Sequence, residues 1–250
     1  MQRLAQLLLF YVMLLWLGAM LLLGNVACLL LLPVPRAPRQ AFLQARISGT
    51  FRLFLAGCAR CGLMQLDLHA LDALAAQRGV VVAANHPSMI DVFLVVSRLP
   101  QAICLMKSSL SGNLFLAVGA YLAGYIPNRH IELMVRQAAE AVAAGQTLLV
   151  FPEGTRTVNP PFNELKAGAA LIAKRARAPL QLVVLETNSR YLTKGWPIWR
   201  PPVFPLVYRA RLSDRLPCSA PVPRTMASLQ QTLHKELPAG PFALQDHPTP

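Results

Sequence analysis

The sequence has few cysteines, few acidic residues and few charged residues of any kind. Cysteine occurs five times in 250 residues, an odd number that does not fit a disulfide framework in a chain of this length. Cys58 and Cys61 have the CxxC spacing of a zinc-ligand pair, but no second CxxC or HxxxH pair follows. We therefore predict ordinary helix residues at both positions, no metal site, and a reducing compartment for the bulk of the chain.

Acidic side chains are scarce relative to basic ones. The chain has 11 Asp and Glu against 24 Lys and Arg, which gives a formal net charge of +13. Such a balance suits nucleic acid, anionic lipid or a negatively charged substrate. The sequence has no basic run interleaved with aromatic residues and no nucleic-acid-binding motif, so we expect no nucleic-acid partner. A mean hydropathy of +0.43 and an apolar content of 54% favour membrane lipid instead.

The N-terminal segment lacks charge altogether. Residues 4–32 contain no charged side chain and are dominated by leucine. A helix of this length extends about 43 Å, which is enough to span a bilayer with some tilt. A cleaved signal peptide is the alternative, but the apolar stretch is too long and no clear small-x-small cleavage site precedes Pro33. We predict a membrane span or a deep anchor here.

The following segment is basic. Residues 33–66 hold five arginines and no Asp or Glu, so the positive-inside rule places the rest of the chain on the cytoplasmic side of the inner membrane. Apolar residues fit one helical face in this segment: Phe42, Ala45, Ile47, Phe51, Phe54 and Leu55. We interpret it as a basic amphipathic helix lying on the membrane. The alternative is a helix that packs on the core and leaves its arginines in water.

Beyond this segment, short apolar strand runs alternate with helical periodicity. Strands are predicted near residues 79–84, 102–106, 147–151, 179–185 and 203–212. Helices are predicted from Pro87, over 131–144, over 164–177 and near 225–237. The alternation predicts an α/β fold, a layered core with a mostly parallel sheet. We expect a membrane-anchoring two-helix segment over 1–66, a core over 67–216, and a C-terminal helix with a Pro-rich tail over 217–250.

Asn85 and His86 follow the first of these strands. Asp91 lies five residues beyond His86, about one helical turn, where its carboxylate can meet the imidazole. A carboxylate on one ring nitrogen fixes the tautomer and leaves the other nitrogen free to act as a base. Ser88 lies near this base, but no Gly-x-Ser-x-Gly elbow is present, so we prefer a mechanism without a protein nucleophile. Taken alone, a histidine and an aspartate at this spacing are explained more often by a core histidine or a helix-start residue than by catalysis.

A second polar segment follows the strand near 147–151. It is FPEGTR at residues 151–156, a tight loop that offers a carboxylate, a hydroxyl and a guanidinium. Arg156 can hold a phosphate through paired hydrogen bonds. A structural loop with a surface ion pair is the alternative explanation.

The two segments together resemble the hallmarks of the glycerolipid acyltransferase family, the 1-acylglycerol-3-phosphate acyltransferases and their relatives. His86 and Asp91 match the NHxxxxD motif of that family, and residues 151–156 match its FPEGTR motif. Lys107 in KSSL, Arg129 at the end of residues 124–129, and Lys166 in Lys-Ala-Gly are similar to further blocks of the family. The resemblance covers residues 45–210 in consistent order.

The resemblance implies a reaction and roles for individual residues. The reaction is acyl transfer from acyl carrier protein or coenzyme A to a lipid hydroxyl, with no cofactor besides this thioester co-substrate. The acceptor it implies is 1-acyl-sn-glycerol 3-phosphate, which would give phosphatidic acid. His86 is implied as general base and Asp91 as its orienter. The implied substrate-binding residues are Glu153, Gly154, Thr155 and Arg156 at the acceptor, Arg129 and Lys107 near its anionic group, and Lys166. The family fold is an αβ core, preceded in many bacterial members by a membrane-embedded two-helix motif that residues 1–66 fit.

Two departures from the family pattern leave the acceptor open. Residues 178–187 match the proline-containing V-P-V strand of the family only loosely, and Glu186 stands where small residues are common. Asn128 replaces the acidic residue often found before the arginine. A different lyso-lipid acceptor from a specialised pathway, such as an ornithine-lipid or aryl-polyene type, is therefore an alternative. A non-catalytic lipid-binding protein, and a hydrolase that uses the same histidine to activate water, are the other hypotheses.

Overall fold

A seven-stranded sheet organises the chain. The computed structural model describes residues 2–244. The strands are β1 (Met64–Asp67), β2 (Val81–Ala84), β3 (Ala102–Met106), β4 (Ile126–Pro127), β5 (Thr147–Val150), β6 (Leu180–Thr187) and β7 (Leu206–Leu216). The α-helices are α1 (Gln2–Ala27), α2 (Arg36–Arg60), α3 (Asp91–Arg98), α4 (Ala117–Leu122), α5 (Ile131–Ala143), α6 (Gly168–Ala176) and α7 (Val222–Glu236). Short 3-10 turns lie at Cys28–Leu31, His69–Leu74 and Ser108–Gly112.

The sheet is mostly parallel, which confirms the predicted α/β fold. Its strand order is β1-β7-β6-β2-β5-β3-β4. β2 lies between β6 and β5 and is parallel to both, and β3 and β4 continue the parallel set. β7 runs antiparallel to β6, and β1 pairs in parallel with β7. The carboxyl ends of β2, β3, β4, β5 and β6 therefore lie along one edge.

Helices cover both faces of this sheet. Val82 and Ala84 of β2 belong to a core beneath α1, α2 and α3, and Val81 and Ala83 belong to a second core beneath α5, α6 and α7. Successive side chains of a strand point to opposite faces, so a strand covered on both sides is apolar at every position. This accounts for the unbroken apolar run that predicts β2.

The apolar side of α2 faces the core. Phe51 stacks on Phe93 of α3 with ring centroids 4.2 Å apart, and Phe54 and Leu55 are buried. Phe42, which the sequence places on the same face, is exposed. The helix therefore matches the packing alternative, because the aromatic face proposed for lipid is covered by protein.

α1 packs against the core along one narrow stripe of its surface. The stretch Arg3–Leu31, which runs through α1 and the following 3-10 turn, has 29 residues and a mean hydropathy of 2.4, enough to cross a membrane by length and composition alone. Phe10 and Leu17 are buried against the core. Farther along, the Asn25 amide donates to the Leu114 carbonyl at 2.7 Å. The rest of the helix surface is largely exposed and apolar.

Several predicted element boundaries differ from the structure. The helix expected from Pro87 begins at Asp91, because the Ser88 hydroxyl and the Met89 amide are bonded to the carbonyls of residues 191–192, which holds residues 87–90 in turns. The helix expected from residue 164 begins at Gly168. The domain boundary expected after residue 66 falls inside β1. The expected tail includes α7, and its residues 245–250 lie outside the described part of the chain.

Candidate active site

Residues predicted for the site follow four neighbouring parallel strands. His86 comes after β2, Glu153 after β5, Lys107 after β3 and Arg129 after β4. In open α/β sheets, ligands bind outside the carboxyl ends of the strands. Adjacent strands lie about 4.8 Å apart, so Lys107 and Arg129 start roughly 10 and 14 Å from the end of β2. The edge therefore carries His86 at one place and cations two and three strands away.

His86 and Asp91 form a hydrogen-bonded pair. Nδ1 of His86 lies 2.9 Å from Oδ2 of Asp91, and this oxygen also accepts the Ser88 amide at 2.7 Å. The imidazole stacks on the Phe151 ring at 4.0 Å, and 15% of the histidine side chain is exposed whereas the Asp91 side chain is fully buried. A carboxylate on Nδ1 favours the tautomer in which Nε2 can take a proton.

Burial sets the electrostatics of this pair. It raises the pKa of Asp91 above that of an ordinary carboxyl, and the hydrogen bond and the charge of His86 oppose the rise. The charge of Arg156 opposes it further. An ionised Asp91 in this position stabilises the imidazolium that forms when His86 accepts a proton.

Glu153 is hydrogen-bonded to the backbone of His86 and to its own loop. Its Oε1 accepts the His86 amide at 2.8 Å, and its Oε2 accepts the Asn163 amide at 2.7 Å. The Thr157 hydroxyl donates at 3.0 and 2.9 Å to the same two oxygens, and the Thr157 amide donates to the His86 carbonyl at 2.7 Å. The FPEGTR loop therefore holds the His86 backbone at both its N–H and its C=O.

The resemblance implies Glu153 at the acceptor, and in the structure this residue is buried behind His86. The residue is only 2% exposed, and burial raises its pKa, opposed by the bonds from Asn163, His86 and Thr157. Its carboxylate faces backbone amides rather than the open edge where an acceptor would bind. Thr157 and Asn163 were missed by sequence reasoning, since nothing in their spacing signals a bond to Glu153.

Arg156 is directed toward the loop that follows β6. Its Nη1 donates to the Leu192 carbonyl at 2.9 Å and to the Thr193 carbonyl at 3.1 Å. Burial lowers its pKa, and the charge of Asp91 opposes that change. In the described structure, the guanidinium thus joins two loops of the site. The loop at residues 188–193 carries no motif by which sequence reasoning finds it.

Gly154, Thr155 and Lys166 lie on the open side of the FPEGTR loop. Gly154 has φ +67°, a conformation that favours glycine, and a Cβ there would lie 2.9 Å from Lys166 Nζ. The Lys166 side chain therefore crosses directly over Gly154, while its amide donates to the Pro152 carbonyl at 2.8 Å. All three residues are exposed. They form the accessible, cationic part of the site.

Lys107 and Arg129 are exposed beside one another on neighbouring strand ends. Met106 pairs with Pro127, and the Asn128 amide donates to the Met106 carbonyl at 3.0 Å. The Asn128 side-chain oxygen accepts the Ser108 amide at 2.9 Å. Asn128 therefore connects the two loops that carry these cations, a task that an amide performs without adding negative charge.

Two further expectations can be compared with the geometry. Ser88 is fully buried, and its hydroxyl donates to the Tyr191 carbonyl at 2.8 Å, so its position disfavours a nucleophilic role. Within residues 2–244, no three His, Cys, Asp or Glu side chains are placed to hold a metal ion. Cys58 and Cys61 are free and lie at the end of α2.

Comparisons with known proteins agree with this geometry. The Acyltransferase family model matches residues 65–208. A putative 1-acyl-sn-glycerol-3-phosphate acyltransferase, acl-1 of Caenorhabditis elegans, is 26% identical over 72% of this chain and 69% of its own. The 1-acyl-sn-glycerol-3-phosphate acyltransferase of Cocos nucifera is 27% identical over 64% of this chain, and the match spans about half of that relative, 52%.

A solved structure shares the fold over nearly the whole chain. It is the 1-acyl-sn-glycerophosphate (LPA) acyltransferase PlsC from Thermotoga maritima, with a TM-score of 0.74 and 17% identity. The match covers 94% of this chain and 96% of that one. Because the family model matches more than half of the sequence and includes both the His86–Asp91 pair and the FPEGTR loop, the chain belongs to the Acyltransferase family and is an acyltransferase.

Proposed function

We propose that the protein transfers a fatty acyl group from a thioester of acyl carrier protein or coenzyme A to the free hydroxyl of 1-acyl-sn-glycerol 3-phosphate, giving phosphatidic acid. The observation that carries the proposal is the 2.9 Å contact of His86 Nδ1 with buried Asp91, held in a loop clamped by Glu153. The acceptor is supported by the names of the relatives, which are 1-acyl-sn-glycerol-3-phosphate acyltransferases.

In the proposed mechanism, His86 acts as general base. Nε2 takes the proton of the acceptor hydroxyl as its oxygen attacks the thioester carbonyl. Asp91 holds the ring by Nδ1 and stabilises the imidazolium. The tetrahedral intermediate collapses with cleavage of the C–S bond, and the imidazolium returns its proton to the leaving thiolate. The products are the new ester and the free thiol.

The acceptor phosphate is proposed to meet the cations along the strand edge. Lys166 lies over Gly154 near the base, and Lys107 and Arg129 follow the next strands. Arginine and lysine bind phosphate by charge-assisted hydrogen bonds. Arg156 contributes if its bonds to the carbonyls of residues 192–193 exchange for phosphate.

The protein is further proposed to reside at the cytoplasmic face of the inner membrane, with α1 embedded in one leaflet. Contacts with the core at Phe10, Leu17 and Asn25 run along most of α1, so the helix lies beside the core rather than apart from it. Its exposed apolar side needs lipid. The arginines of residues 33–66 suit the anionic cytoplasmic leaflet.

One experiment tests the reaction, its acceptor and its base. Purified protein is given mixed acyl-carrier-protein and coenzyme A donors with a panel of lyso-lipids, and the products are identified by mass. We expect phosphatidic acid, and a loss of about 100- to 10,000-fold in His86→Ala. His69→Ala is the matched control, since the side chain of His69 is 81% exposed away from the site.

The same experiment separates the alternatives. Acylation of another lyso-lipid alone would assign a different acceptor, and free fatty acid without an acylated product would assign hydrolysis. Lipid binding without turnover by any donor would favour a non-catalytic protein. Near-normal activity of His86→Ala would refute the general-base mechanism.

A further inference from the structure

The loop between β6 and β7, residues 188–205, is hydrogen-bonded on its inner side to the catalytic loop, the turns that follow His86. The carbonyls of residues 191–192 accept the Ser88 hydroxyl at 2.8 Å and the Met89 amide at 3.1 Å. The carbonyls of residues 192–193 accept Arg156 at 2.9 and 3.1 Å. Any displacement of this β6–β7 loop therefore reaches two segments of the site, the turns after His86 and the FPEGTR loop.

The outer side of the same loop is apolar and exposed. Trp199 is 67% exposed and Val203 is 87% exposed, and Ile198 beside them is also exposed. Large apolar side chains grouped on one surface loop mark a site that contacts protein or membrane. The outer side of the loop is therefore a candidate contact surface.

The charge of the loop indicates which partner. Arg190, Lys194 and Arg200 are exposed, and residues 188–205 contain no Asp or Glu. The guanidinium of Arg200 lies 4.9 Å from the Trp196 ring centroid. Tryptophan together with lysine and arginine is the composition of segments that lie at the headgroup level of a bilayer, where rings sit among the upper acyl chains and cations meet phosphate.

The loop is also continuous with the apolar surface of α1. The Phe10 ring contacts Tyr191 at 6.0 Å and Phe204 at 5.7 Å between centroids. The Tyr11 hydroxyl donates to the Trp199 carbonyl at 3.3 Å. A bilayer that covers the exposed side of α1 near these residues therefore lies next to Trp199.

We propose that the β6–β7 loop is a second membrane-contacting element, in which Trp199 and Val203 enter an anionic bilayer while Arg190, Lys194 and Arg200 bind lipid phosphates. The inference rests on the membrane association proposed for α1. It adds that lipid contact and the catalytic loop share one segment of backbone. Loss of the contact should therefore reduce turnover of an acceptor embedded in a bilayer more than turnover of a dispersed, short-chain acceptor.

The test uses the full chain with Trp199 as its reporter. The sequence has three tryptophans, so Trp16→Phe and Trp196→Phe together leave Trp199 alone. The variant is mixed with phosphatidylglycerol and phosphatidylethanolamine vesicles that carry bromine on the upper acyl carbons. We expect a blue shift and quenching of Trp199 emission on binding. A variant with Trp16 and Trp199 both replaced by Phe provides the comparison for Trp196.

A charge substitution gives an independent readout that does not depend on the background with two tryptophans replaced. Val203→Glu should lower vesicle affinity by about tenfold or more, since it removes an apolar side chain that is proposed to enter the bilayer and adds a negative charge that anionic lipid repels. Leu171→Glu is the matched control, because Leu171 is an exposed apolar residue of α6 on the opposite face of the sheet. It should leave vesicle affinity unchanged.

Each result decides between named possibilities. Vesicle binding without quenching of Trp199, with unchanged affinity in Val203→Glu, overturns the inference and leaves the membrane association of α1 standing. No vesicle binding by the wild-type chain overturns both. A shift of Trp199 emission on adding acyl carrier protein, and not on adding vesicles, would assign the loop to an acidic protein instead.

Discussion

Glu153→Gln distinguishes a brace on the histidine from a contact with the acceptor. The substitution preserves side-chain size and replaces one carboxylate oxygen with an NH2 group. The two oxygens accept the His86 amide at 2.8 Å and the Asn163 amide at 2.7 Å. In either orientation of the glutamine side chain, its NH2 group faces the backbone N–H of His86 or that of Asn163. One of these two donors therefore loses its acceptor.

The magnitude follows from that lost acceptor. Leaving a buried donor unsatisfied costs about 1–3 kcal/mol. If this cost displaces His86 from its productive position, kcat falls by roughly 5- to 150-fold, since about 1.4 kcal/mol corresponds to a factor of ten. The KM for the acceptor should change little, because Glu153 is 2% exposed and faces away from the open edge.

The assay measures kcat and KM for 1-acyl-sn-glycerol 3-phosphate by product mass. Thr157→Val should shift kcat in the same direction by less, because it removes a donor and leaves both carboxylate oxygens. Glu164→Gln is the control, an exposed glutamate in the same loop. A raised KM with unchanged kcat in Glu153→Gln would refute the brace and return Glu153 to the acceptor site.

Three further predictions concern stability and the cationic side of the site. Gly154→Ala places an L side chain at φ +67°, which should destabilise the protein by about 1 kcal/mol or more, and displaces Lys166. A lower melting temperature should report the loss of stability, and kinetic measurements should show a raised KM for the acceptor. Burial raises the pKa of Asp91 above its value in the unfolded chain. The free energy of unfolding of the wild type, minus that of Asp91→Asn, should therefore fall as pH rises from about 4, by at most about 1.4 kcal/mol per pH unit. Melting in detergent across pH checks this, and a difference that rises with pH contradicts it. Phe51→Ala removes the ring stacked on Phe93 and should destabilise the protein by about 3–5 kcal/mol, with Phe42→Ala as the exposed control.

Local patterns predicted most of the secondary structure correctly. The helix expected at 131–144 is α5 at Ile131–Ala143, since its apolar residues recur with helical spacing and Gly145 follows. β2, β3, β5 and β6 were recognised as short apolar runs. β1 and β4 were not, because β1 mixes polar with apolar residues and forms no apolar run, and β4 has only two residues. The predicted start of α3 is too early, because the true start depends on hydrogen bonds from residues 88–89 to a loop about a hundred positions away.

The direction in which amphipathic helices face was less predictable. Phe51 and Phe54 have the same spacing whether their side of α2 meets lipid or α3. Periodicity identifies a face that must be covered and is silent about what covers it. In the structure, α3 covers it, whereas α1 and the β6–β7 loop carry apolar residues that remain exposed.

The sequence by itself determined the family and predicted the His86–Asp91 pair. His86 and Asp91 lie within one short segment, and two motifs some 60 residues apart are enough to recognise an acyltransferase. Only the tertiary structure decided the orientation of the supporting residues. Glu153 is committed to the His86 amide and Arg156 to carbonyls of residues 192–193, and those partners come from separate strand ends. A motif records which side chains are present, whereas a hydrogen-bond partner depends on how the parallel sheet brings distant loops to one edge.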